Sequence, residues 1–69
     1  MYKIKLLLAK SVTSMKEKTE LGFIKSNIIP EVSKTLIYKG NGYKTLSSYY
    51  EVDENDELMI VLILHKINN

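Results

Sequence analysis

From Tyr2 to Ala9 the chain alternates, with Tyr2, Ile4, Leu6 and Leu8 on one side and Lys3, Lys5 and Leu7 on the other. That period of two predicts a strand with one buried face. Gly22 to Ile29 reads as a second strand, with either Ile24 and Ile28 or Phe23 and Ile29 turned inward. Pro30 ends it, because proline brings no amide to a ladder and biases Ile29 toward extended geometry. Thr35–Lys39 and Tyr43–Leu46 flank Gly40-Asn41-Gly42. Asn-Gly accepts the positive φ angles of a tight turn, so a two-residue turn at Asn41-Gly42 is predicted, setting Lys39 opposite Lys44 and Ile37 opposite Leu46. Ser47 to Val52 continues that strand, with a bulge or kink at Ser47-Ser48. Asp53-Glu54-Asn55-Asp56 is a polar turn.

The strongest strand is Glu57 to Ile67. Leu58, Ile60, Leu62 and Leu64 share one face, and Met59, Val61, Ile63 and Ile67 share the other. A strand apolar on both sides is central, or has its second face covered by a neighbour. The stretch Ser11 to Glu20 has no sustained period, but Ser14-Met15-Lys16-Glu17 fits a capping box. With Gly22 as a stop it predicts either one short helix near residues 14–21 or a loop. The fold expected is mainly β: a single domain over 1–69, built as a small five-stranded antiparallel sheet or an SH3- or OB-like barrel. The alternative is an α+β meander with one helix.

Sixty-nine residues bury a thin core, only about 60 to 65% of the surface of the unfolded chain. Scaffolds of this size draw extra stability from disulfides, a metal or a partner. The chain has no cysteine and one histidine, His65, which excludes disulfides and zinc clusters and favours a protein partner or a homodimer. Leu6–Ala9 is closed by Lys10 and is too short for a signal segment. Leu58–Leu64 is seven apolar residues, against about 20 for a membrane helix. No membrane association is expected, and the location expected is cytoplasmic. The net charge of +2 comes from ten lysines and no arginine against eight acidic residues. Without the bidentate fork of arginine, sequence-specific DNA reading is disfavoured. The bias to Lys, Ile, Asn and Tyr is that of an AT-rich genome.

Glu51, Asp53, Glu54, Asp56 and Glu57 could gather carboxylate oxygens around a hard cation. They lack the glycine and distal glutamate of a calcium loop, so a solvated hairpin tip, or one that meets a basic partner surface, is expected and no metal. His65 has no nucleophile or orienting carboxylate placed beside it by sequence, and none of the serines stands in a nucleophile elbow. No enzyme activity and no cofactor are expected. Gly40-Asn41-Gly42 lacks the helix and Lys-Ser/Thr pair of a phosphate cradle.

Four of the five tyrosines, Tyr38, Tyr43, Tyr49 and Tyr50, fall in the hairpin region. Tyrosine buries a large ring at low entropic cost and keeps a hydroxyl, which suits interfaces, although sheet cover uses the same ring. These four, with Met59, Val61 and Ile63 on the second face of the last strand, form the candidate interface. Tyr2-Lys3, Tyr38-Lys39 and Tyr43-Lys44 also combine stacking with charge, the recipe of an OB- or cold-shock-like binder of single strands. The arc from Pro30-Glu31-Val32 through Gly40-Asn41-Gly42-Tyr43-Lys44 to the last strand covers about half the chain. Its turn spacing is similar to that of short β-barrel proteins encoded by phages and mobile elements. The function expected is a non-catalytic interaction module, such as a phage-encoded inhibitor of a host or defence protein. Single-strand binding is the alternative, and a structural or assembly subunit the second alternative.

Overall fold

A computed structural model describes residues 1–11 and 16–67. Five strands are present: β1 (Tyr2–Ala9), β2 (Lys18–Ser26), β3 (Thr35–Tyr38), β4 (Asn41–Val52) and β5 (Leu58–Lys66). They form one sheet, ordered β2-β1-β5-β4-β3 and curled into a half-barrel. The mainly β, barrel-like architecture is as expected, with one correction to pairing: β1 and β5 run parallel, and only the other three pairs are antiparallel. The reason lies in the apolar pattern. The strands at the two ends of the chain are its greasiest, and placing them side by side in mid-sheet hides more surface than leaving either at an edge.

The register brings Ile4 beside Ile60, Leu6 beside Leu62 and Leu8 beside Leu64. Ile4, Leu6, Ile60, Leu62, Leu64 and Tyr43 make the buried core, with Leu8, Leu21, Ile24, Leu36 and Tyr38 packed against it. Each fully buried aliphatic side chain contributes about 1.5–3 kcal/mol. β5 is also hidden on its second face, where Met59, Val61 and Ile63 are buried. In the ladder Lys5 and Tyr49 flank Val61, while Leu7 and Ser47 flank Ile63.

Three local expectations are corrected. Among the described residues there is no helix near 14–21: Lys16 and Glu17 turn, and 18–21 open β2; Ser14 and Met15 lie outside the described residues. Two turns of helix are marginal on their own, whereas extended chain pairs Lys18, Thr19 and Glu20 with Ala9, Leu8 and Leu7. The Lys10 N–H donates to the Glu17 carbonyl (3.1 Å), and their side chains form an ion pair (3.1 Å) at the mouth of this connection. The α+β alternative falls with the helix. Next, β2 ends at Ser26, whose Oγ accepts the Ile28 N–H (3.1 Å), so Ile24 packs inward and Ile28 projects to solvent.

The hairpin turn is the third. It sits at Lys39-Gly40, with φ of 49° and 83°, so Tyr38 faces Asn41 and Ile37 faces Gly42. A turn at Asn41-Gly42 would strand Tyr43 at the hairpin tip; the observed register buries it opposite Leu36. Burial of an aromatic ring outweighs the cost of a lysine at positive φ, about 1–2 kcal/mol. β4 carries its bulge at Leu46, between Thr45 and Ser47, one residue before the predicted kink.

Candidate interaction surface

The β1–β5 pair runs out at one end of the barrel without running out of apolar side chains. Tyr50 pairs with Ile60 and Val52 with Leu58, which puts all four on the core-facing side. Extending the Ile4–Ile60 register by two residues sets Tyr2 beside Leu58. Ile60 is buried, yet Tyr50, Val52 and Leu58 are 65%, 61% and 60% exposed, and Tyr2 is exposed too. The core thus continues into an open apolar end.

The acidic residues 53–57 rim that same end, because they connect β4 to β5. Asp53 organises the turn. Its Oδ1 accepts the N–H of Asn55 (2.8 Å) and of Glu57 (3.0 Å), its own N–H donates to the Glu57 carbonyl (3.0 Å), and its carbonyl accepts the Asp56 N–H (3.1 Å). The amides of Glu57 and Asn55, helped by the charge of Lys3, hold the Asp53 carboxyl below the ordinary aspartate range. Glu54 and Asp56 are exposed, and Asp56 takes a φ of 60° to close the turn. Among the described residues no three acidic or imidazole side chains converge as metal ligands.

Charge is segregated along the barrel. Opposite the acidic rim lies an open cavity of about 620 Å³ lined by Lys10, Lys16, Lys18 and Lys66 with Glu17 and His65. His65 is half-buried and pairs across the ladder with Lys44; the one carboxylate of the lining, Glu17, is engaged by Lys10. Among the described residues no tyrosine or phenylalanine lines this basic mouth, whose one ring is the His65 imidazole.

Of the predicted interface, Tyr49 and Tyr50 are exposed, on opposite faces of β4. Tyr38 is half-buried against the core, with the Lys39 ammonium 5.3 Å from its ring centroid. Tyr43, Met59, Val61 and Ile63 are buried within the single chain and are not on its free surface, a correction to their place in the candidate interface. The two-sided apolar pattern of β5 signalled a central strand, not a docking face. Tyr2, Val52 and Leu58 were missed as surface residues, and the available signal was their position at strand ends on the core-facing parity.

The two sheet edges differ. β2 presents Lys18, Glu20 and Lys25 and a bulge at Leu21, the devices that guard an edge against pairing. The outer edge of β4 is paired to β3 only as far as Lys44, and Thr45 exchanges bonds with Lys34 and Ser33 (3.0 and 2.8 Å). From Ser47 to Val52 no strand of the described residues covers it, and that stretch holds no lysine and no proline. No family model, curated protein or solved structure matches the chain.

Proposed function

We propose that this protein is a non-catalytic interaction module that docks on another protein through the open apolar end of its half-barrel. The observation that carries this reading is the run of Tyr2, Tyr50, Val52 and Leu58, exposed side chains continuous with the buried core and rimmed by charge. Contiguous apolar surface with a polar rim is the pattern of a binding site. The finer reading, a phage-encoded inhibitor of a host or defence protein, draws its support from composition and turn spacing. Single-strand binding draws less support from the geometry: Tyr43 is buried, Tyr38 packs on the core, and among the described residues the basic mouth offers no tyrosine or phenylalanine, only the half-buried His65 imidazole.

The experiment is affinity capture with the wild-type chain and with Leu58→Glu as baits, followed by mass spectrometry. A protein retained by the first and lost from the second, with circular dichroism unchanged, is the expected result. Equal retention by both baits removes the apolar end from the site.

A further inference from the structure

We propose that the occupant of the open β4 edge is a second copy of this chain, paired antiparallel along residues 48–52 into a continuous ten-stranded sheet. This deepens the interaction reading and rests on it, since it places Tyr50 and Val52 beside a partner.

Backbone direction makes the edge usable. Thr45 turns its N–H and C=O toward Lys34 and Ser33, whereas Asp53 turns its N–H toward Glu57 on the β5 side. Successive residues of a strand alternate. Counting back from Asp53, Glu51, Tyr49 and Ser47 bond to β5, while Val52, Tyr50 and Ser48 aim both backbone groups away from the sheet. Three free residues at alternate positions are the template for one more antiparallel strand. A two-fold axis at Tyr50 pairs Tyr50 with its own copy and Ser48 with Val52 in both directions, uses all three, and avoids the bulge at Leu46.

Charge selects this occupant. In that register the acidic turn of one copy runs past Ser48 of the other, toward Lys34 and Lys44 where β3 begins. The symmetry makes the contact twice. A head-to-head parallel arrangement would instead bring the two acidic turns together, where like charges repel. The guarded edge of β2 keeps the far side of the sheet out of the pairing, and β3, the other edge strand, is only four residues long.

The test combines sedimentation velocity over a concentration series with amide hydrogen exchange. Ser48→Pro serves as the blocked variant: it deletes one outward N–H and leaves every bond to β5 in place. The wild type is expected to sediment as a dimer at high concentration, with the amides of Ser48, Tyr50 and Val52 protected at least about tenfold more than in the dilute monomer; Tyr49 and Glu51 should change little. The variant should stay monomeric with the same circular dichroism. A wild type that remains monomeric overturns the proposal, and so does a dimer that Ser48→Pro leaves intact or a species larger than a dimer. Loss of the dimer leaves the apolar-end reading standing, because capture by the wild type but not by Leu58→Glu is measured independently of it.

Discussion

The hydroxyl of Tyr38, on β3, rests on the backbone of Gly22, on β2, although these strands form opposite edges of the five-stranded sheet. A Cβ at Gly22 would overlap the Tyr38 Oη and stand 3.4 Å from Cζ. One ring therefore spans the mouth of the half-barrel, and glycine is the residue that lets it land. Gly22→Ala is expected to destabilise the fold by about 1–3 kcal/mol, the usual cost of overpacking. Tyr38→Phe removes the offending oxygen, so in the double variant most of that loss should be recovered. Additive losses in a urea-unfolding double-mutant cycle would show that the two residues do not meet.

Thr45 lies at the β4 bulge, facing Leu64, and is buried with no hydrogen-bond partner for its hydroxyl among the described residues. An unsatisfied buried hydroxyl costs about 1–3 kcal/mol, and valine removes it at nearly the same shape. Thr45→Val is expected to raise stability by about 1 kcal/mol, a thermal midpoint about 4–8 °C higher for a chain of this size. A lower midpoint would mean that the oxygen is satisfied in solution.

At the β3–β4 turn Lys39 holds a φ of 49° ahead of Gly40. Left-handed backbone costs lysine about 1–2 kcal/mol, and asparagine tolerates it far better. The substitution also gives up the exposed contact of the Lys39 ammonium with the Tyr38 ring, worth about 0.5–1 kcal/mol. The backbone gain is the larger, so Lys39→Asn should stabilise by about 0.5 kcal/mol. A drop in the urea midpoint would assign the lysine contact the greater share.

How far the fold could be read from the residues follows from which signals were local. The alternation of β1 gave its bounds, and the two apolar faces of β5 marked it as central. Turn position was harder, because Asn41-Gly42 is the stronger dipeptide and only the long-range burial of Tyr43 moves the hairpin to Lys39-Gly40. Parallel pairing of β1 with β5 has no local signature at all. The same holds for the apolar end: Val52 and Leu58 follow strand parity like core residues, and their exposure comes from the sheet ending there. The acidic turn was legible as a turn, whereas the role of Asp53 as its acceptor needed the geometry.

That role has a pH signature. The backbone amides of Glu57 and Asn55 favour the charged carboxylate and depress the carboxyl pKa of Asp53 in the folded chain. A depressed folded value means that the unfolded chain binds the proton more readily. The stabilisation is therefore fully present above the unfolded value of about 3.9 and is lost as pH falls through the folded one. Asp53→Asn keeps an acceptor oxygen and removes the charge. Wild type should exceed this variant in urea stability at neutral pH, and the gap should close in acid. Carboxyl titration by NMR gives the direct check: the Asp53 carboxyl should titrate below the ordinary aspartate range. If Asp53 titrated within the ordinary aspartate range, the carboxylate would not be what holds the turn, and the hydrogen bonds from Asn55 and Glu57 would carry no electrostatic weight.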